Sequence, residues 1–320
     1  VTDNASGSTL DRTFNIVGET PLYTFSSPFT FNTGNPVQRG RYGPTLSHLR
    51  SEYSPSWTDS TNYLNVSGGI QEWTVPRTGT YTINACGAGA WYSNGGGYGA
   101  NITGTCTLTG GEIIRILVGH EPGRTTYHDT LQSNGSNHSG AGGTFVVRTP
   151  YDTNASIIVI AGGGGGGHAR YSSSFATDAR TYGDASLTTS GKGGTGNTTG
   201  GGSGGYAGTT GYDNNGGAGF FGDAGNGNLQ GGEAAVAYTS GGRGGSDLAL
   251  HSGEDHGGFG GGGRHGRTHG AGGGGYSGGA GGQSGSYTGG GGGSYKATFF
   301  TVTSESVDND NSGYVVISLN

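Results

Sequence analysis

A chain of 320 residues in which 29% are hydrophobic and 77 are glycine can hold one large or two small domains, but it is too poor in apolar side chains to fill a conventional core throughout. A formal charge of −6, with only two lysines (Lys192 and Lys296), argues against nucleic acid and anionic membrane surfaces as partners. No apolar stretch approaches the ~20 residues of a membrane-spanning helix.

The chain begins at Val1 and contains no methionine, so a processed secreted protein or an excised fragment is expected. Residues 1–20 read as an N-terminal arm. Residues 9–17 alternate Leu10, Arg12, Phe14 and Ile16 against Thr9, Asp11, Thr13, Asn15 and Val17, which gives a strand with one mostly apolar face. Leu10, Phe14 and Ile16 are the assembly candidates, because an edge strand donated to a neighbour joins subunits through main-chain hydrogen bonds.

Residues 21–160, completed by residues 296–320, read as an all-β sandwich. Strand patterns occupy residues 72–85, 112–118, 144–148, 156–160, 297–303 and 314–319, punctuated by turns at residues 76–79, 109–111 and 309–313. Several short strands need a second sheet to cover their apolar face. No segment shows a helical period with caps.

Seven Asn-x-Ser/Thr sequons, at Asn4, Asn65, Asn101, Asn134, Asn137, Asn154 and Asn197, exceed chance and mark glycosylation candidates. Cys86 and Cys106 are the only cysteines, and an extracellular setting favours a disulfide between them. Strand parity opposes it. Cys106 shares a face with Ile102 and Leu108, while Cys86 shares one with Thr80, Thr82 and Asn84, so a bond needs a bulge or a strand end near Gly87. The alternative is two buried thiols.

Residues 161–295 hold 53 of the glycines. Glycine loses the most backbone freedom on folding, so this block stays disordered unless something specific holds it. Collagen needs a strict Gly-X-Y period with abundant proline, and here the runs are irregular and the last proline is Pro150. A flexible linker lacks large side chains. Yet Phe175, Tyr206, Phe220, Phe221, Tyr238, Phe259, Tyr276 and Tyr287 interrupt the glycines. The remaining option is a bundle of polyglycine II strands, whose N–H and C=O groups pair laterally with neighbours. Glycine-poor residues 171–185 read as a protruding loop.

Chemical motifs are weak. Two Gly-x-Ser-x-Gly matches, around Ser203 and Ser277, lack the strand-turn-helix context of an esterase nucleophile. His251, His256, His265 and His269, with Glu254 and Asp255, fit no recognised metal spacing and read as solvated loop residues. Asp308, Asp310 and Ser312 resemble the first half of a calcium loop, but Leu319 stands at the twelfth position, and a polar hairpin turn explains the same residues. No cofactor is expected, and calcium at this turn is the disfavoured alternative.

One resemblance runs along residues 21–320. Ile70-Gln71-Glu72-Trp73-Thr74-Val75-Pro76, Gly79-Thr80-Tyr81-Thr82-Ile83 and Gly87-Ala88 resemble the glycine-rich domain of the anaplastic lymphoma kinase and leukocyte tyrosine kinase ectodomains, and of related secreted proteins. Further matches follow in order: Phe29-Thr30-Phe31, Arg41-Tyr42-Gly43-Pro44-Thr45, Ile116-Leu117-Val118-Gly119, Ile158-Val159-Ile160-Ala161-Gly162-Gly163, residues 289–295 and Gly313-Tyr314-Val315-Val316-Ile317. The resemblance implies a tumour-necrosis-factor-like, jelly-roll β-sandwich bearing a polyglycine II lattice. It also implies a site for small basic cytokines, a role that does not transfer to a chain without kinase or adjoining modules.

The expected function is a non-enzymatic, extracellular structural or adhesive protein that associates with copies of itself in a fibre or surface layer. The alternative is a binding module for a protein ligand or surface glycans, with Trp57, Trp91, Tyr92 and Tyr98 as ligand-contact candidates, since aromatic faces stack on sugars and anchor proteins. The simpler reading of the same aromatics, and the favoured one, is that they cap the sandwich.

Overall fold

The computed structural model describes residues 19–34, 37, 39–90, 96–123, 139–167, 179–211, 214–226, 232–246, 256–265, 269–283 and 288–320. Eleven strands form along these residues: β1 (Phe29–Phe31), β2 (Leu64–Ser67), β3 (Ile70–Thr74), β4 (Gly79–Cys86), β5 (Gly99–Leu108), β6 (Ile113–Leu117), β7 (Thr144–Arg148), β8 (Ile157–Ala161), β9 (Tyr295–Lys296), β10 (Thr301–Asn309) and β11 (Tyr314–Leu319). They make two antiparallel sheets. The first has the order β1-β11-β4-β5-β10 and the second β2-β3-β6-β7-β8-β9.

Alternation decides what each strand buries. On β4, Tyr81, Ile83 and Ala85 point inward, and on β5 Ala100, Ile102, Cys106 and Leu108 do the same. They meet Trp73, Ile114, Ile116, Val146, Ile158 and Val159 of the second sheet in one continuous core. Thr80, Thr82, Asn84, Thr103, Thr105 and Thr107 take the outer face of the first sheet, which is half-buried or exposed.

On the second sheet the polar face is confined to β2, β3 and β6, where Asn65, Glu72, Thr74 and Arg115 are half-buried or exposed. All five residues of β8 are buried, as are four of five on β7. Leu117, Phe145, Val147, Ile157 and Ile160 form a second core with Phe220, Tyr238, Phe259 and Tyr276 of the glycine-rich block. The continuous apolar runs of β7 and β8 therefore reflect a sheet covered on both sides.

Among the described residues one α-helix interrupts the β pattern. α1 (Leu46–Glu52) is capped by Thr45, whose hydroxyl accepts from the His48 amide at 3.3 Å while the His48 ring accepts from the Thr45 amide, and it buries Leu49 in the main core.

The expected disulfide is absent. Both cysteines are free and buried. Cys86 stands opposite Asn101 and Cys106 opposite Tyr81, so five residues, about 17 Å of strand, separate them, far beyond the reach of a disulfide at ~7 Å. Burial raises both thiols, Cys86 to about 12 and Cys106 to about 11.

Among the described residues, no helix is long and apolar enough to cross a membrane.

Candidate functional site: the glycine block and its aromatic seam

The glycine block is ordered by its own backbone. Gly163 and Gly166 donate to Gly274 and Ala271, residues of one neighbouring segment. Between them, Gly164 donates to Ala88 and Gly165 to Gly183. The same rhythm recurs in the next segment: Gly272 and Gly275 donate to Asn215 and Ala218, Gly273 to Gly290 and Gly274 to Ala141. A third segment repeats it, with Gly289 and Gly292 donating to Gly166 and Gly163, Gly290 to Ala280 and Gly291 to Tyr182. Residues three apart thus face the same neighbour.

Such close approach requires the absence of side chains. A Cβ on Gly143 would lie 2.8 Å from the Gly275 Cα, and a Cβ on Gly164 would fall inside contact of the Gly97 carbonyl oxygen. Where a side chain does enter, it imitates backbone. Asn214, fully buried, donates through its amide to Gly270 O at 2.9 Å and Gly282 O at 3.1 Å and accepts from Gly211 N at 3.0 Å.

The network crosses the boundaries drawn from composition. Ala88, Gly97, Gly140 and Ala141 precede residue 161 and hydrogen-bond to residues within the block. Extensions of the strands therefore seed the block.

Aromatic rings dock it on the second sheet. Phe145 of β7 stacks on Tyr238 at 5.0 Å, Tyr238 on Phe220 at 5.0 Å, and Phe220 meets Phe221 edge-on at 4.8 Å. Tyr206, largely exposed, ends the column 6.3 Å beyond Phe221. The Tyr276 hydroxyl donates to Asn154 Oδ1 at 2.9 Å, and the Tyr276 ring lies 4.7 Å from Tyr295. Arg41 and Arg243 share the Glu233 carboxylate, which they hold below the ordinary glutamate range, the Arg41 hydrogen bond contributing most.

His120 sits inside the seam. It is fully buried, its ring lies 5.4 Å from Phe259, and neither ring nitrogen has a hydrogen-bond partner. Burial alone lowers its pKa to about 3, so the imidazole is neutral at any ordinary pH.

The sequence candidates fall in varied places. Trp57 is no surface platform: it packs in the core against Phe29 at 4.7 Å, Tyr23 at 5.2 Å and Phe25 at 5.8 Å. Tyr98 is half-buried where β5 begins, its backbone tied to Asp184 and Ala185 of the block. Trp91, Tyr92, Leu10, Phe14, Ile16, Asn4, Asn134 and Asn137 lie outside the described residues. Asn65 and Asn154 are exposed, Asn101 is half-buried and bonded to Asn84, and Asn197 donates its amide to Thr209 and Gly281.

Ser277 is fully buried, with its hydroxyl donated to Thr189 O and accepting from Gly205 N, so it is built into the block and not poised as a nucleophile. In the turn after β10, the Asn309 amide donates to Gly87, Asn311 and Ser312 carbonyls, Ser306 donates to Asp308, and Ser312 donates to Glu121. These bonds close the turn on itself, but it is not the expected hairpin: β10 and β11 do not pair, and the turn carries the chain from the sheet edge past β5 and β4. Among the described residues, no three His, Cys, Asp or Glu side chains gather to hold a metal.

His120, Asn214 and the Arg41–Glu233–Arg243 group escaped the sequence reading. Each is a single polar residue in a glycine or strand context, and only the tertiary fold brings its partners near.

Compared with protein-family models and with curated proteins, the chain matches none.

Proposed function

We propose that this chain is a non-enzymatic, extracellular structural or adhesive protein that associates with copies of itself into a fibre or surface layer. The observation that carries the reading is the glycine block. Donors three residues apart serve the same neighbour, which fits polyglycine II strands with three residues per turn. A bundle of that kind is stiff and nearly uncharged, offers no cleft of convergent catalytic groups, and presents backbone N–H and C=O groups at its margins for further lateral pairing.

The resemblance to the glycine-rich ectodomains supports the same architecture, a tumour-necrosis-factor-like, jelly-roll sandwich carrying the bundle. Leu10, Phe14 and Ile16 of the N-terminal arm are the connecting residues in this reading. Among the described residues, the exposed sequon asparagines Asn65 and Asn154 suit an N-linked glycan in this reading.

Electron microscopy of the purified chain tests it. Filaments or sheets are expected, and monodisperse single particles at all concentrations would refute self-association.

A further inference from the structure

Residues 187–211 lie on the outside of the glycine block in short rows joined by backbone bonds. Gly191 N donates to Gly202 O at 2.9 Å and Thr209 N to Gly200 O at 2.8 Å. Ser277 Oγ, which donates to Thr189 O and accepts from Gly205 N, ties the first row to the turn that ends the second. Gly204 and Gly205 make that turn with φ of 63° and 90°, a left-handed backbone open to glycine. The turn delivers Tyr206 to the surface.

Tyr206 is 62% exposed, yet its place is fixed from below. A Cβ on Gly222 would lie 2.8 Å from Tyr206 Cδ1, so the missing side chain is the seat of the ring. Phe221 backs it at 6.3 Å, at the outer end of the aromatic column rooted in Phe145. An exposed ring held in this way is a stacking platform. Its surroundings are hydroxyls. Thr188, Thr189, Ser190, Ser203 and Thr209 are exposed, and the single charged residue among residues 187–211 is Lys192, which is half-buried. Beyond that stretch, Asp223 is turned to the Ala237 amide, whose bond its carboxylate accepts at 2.7 Å.

This chemistry disfavours three partners. The close pairing of glycine rows needs bare backbone, and here Ser203, Tyr206 and Thr209 stand outward at every third residue, which keeps a second copy from hydrogen-bonding distance. A protein partner needs an apolar centre to desolvate, and one tyrosine among hydroxyls is a small one. Nucleic acids and acidic polysaccharides need clustered cations. A neutral sugar carries both matching surfaces: C–H faces that stack on an aromatic ring, and hydroxyls that exchange hydrogen bonds with serine, threonine and backbone groups.

We propose that the Tyr206 face binds a neutral polysaccharide, with one sugar ring stacked on the open face of Tyr206 and its neighbours lying across the hydroxyls of the flanking rows. This goes beyond the self-association reading and stands without it.

Co-sedimentation of the full chain with insoluble polysaccharides tests it, with cellulose, chitin and cross-linked dextran as neutral probes and carboxymethyl-cellulose as the charged one. Retention on at least one neutral probe, undiminished by high salt, is expected. Tyr206→Ala should weaken that retention about tenfold, and Tyr206→Phe, which keeps the ring, should stay within about threefold. Tyr42→Ala, which removes another strongly exposed tyrosine, should leave it unchanged. In the wild-type chain, a soluble oligosaccharide of the retained probe should slow nitration of Tyr206 severalfold and leave Tyr42 unprotected, a readout that needs no variant to fold. Failure to bind any neutral probe overturns the proposal, as does retention that Tyr206→Ala leaves intact or that gives Tyr206 no protection. Retention on the charged probe alone, lost in high salt, assigns an acidic partner and overturns it as well. Filaments lost in Tyr206→Ala while retention persists would give the face to assembly instead.

Discussion

Between the two sheets, space is filled by side chains: Trp73, Tyr81, Ile83, Ile102 and Ile317 are all fully buried there. In the glycine block it is filled by backbone, and the atoms in closest approach are carbonyl oxygens and Cα carbons. Both regions exclude water. They respond in opposite ways to a change of side-chain volume: the sandwich suffers when atoms are removed, and the block when they are added.

The largest break in that comparison comes from Trp73→Ala, which empties the centre of the main core and removes the bond from its indole N–H to the Tyr23 hydroxyl. About 3–5 kcal/mol of stability should be lost, read from denaturant unfolding. Gly164→Val and Gly274→Val test the other side. Each forces a branched side chain between hydrogen-bonded segments, and each should destabilise by about 1–3 kcal/mol, a clear drop in melting temperature. Neutral behaviour at both sites would mean that the block tolerates side chains and that the contrast is false.

Asn214→Ala sharpens it further, since here a side chain plays the part of backbone. Three partners lose a buried bond, so a loss of about 1–3 kcal/mol is expected, with faster hydrogen exchange at Gly211, whose amide donates to Asn214, and in residues 270–282 beside the two carbonyls. Unchanged exchange there would show that water or a neighbouring strand replaces the amide.

A pH-dependent effect concerns the seam between the regions. His120 is neutral in the folded protein with a pKa near 3, below the ~6.5 of an unfolded histidine. The unfolded chain therefore binds more protons between those values, and the stabilising contribution present above pH 6.5 is lost as pH falls toward 3, by at most about 1.4 kcal/mol per pH unit. His120→Phe should flatten the decline of melting temperature between pH 6.5 and 4. An identical slope in the variant would place the acid sensitivity elsewhere.

Much of the sandwich was legible because its strands alternate or run apolar at strand length. The uninterrupted Ile157-Ile158-Val159-Ile160 announced a strand but gave no sign of what covers its outer face. β5 was harder. It carries Gly99 and Gly104, and the second is there because the Phe300 ring passes within 2.6 Å of the position a Cβ would take. α1 spans seven residues, too short to display a period, and its capping by Thr45 and His48 is visible only in three dimensions. Trp57 looked like a surface platform because the sequence does not show that Tyr23, Phe25 and Phe29 converge on it. Ala88 and Ala141 went unassigned to the block for a related reason: short Gly-Ala stretches between strands gain meaning only from the segments beside them.

β11, the last strand, lies in the interior of its sheet, between β1 and β4. A chain emerging from the ribosome with its N-terminus first cannot complete that sheet until Tyr314–Leu319 is free. Until then β1 has no partner, Ile83 and Ala85 lack Val315 and Ile317, and the block has no finished scaffold to rest on. Folding is thereby made to follow synthesis, and a chain stopped at residue 310 should remain open to proteolysis across β4 and β5. The placement of six residues acts as a timing device: it withholds the shared neighbour of β1 and β4 until both have long been made.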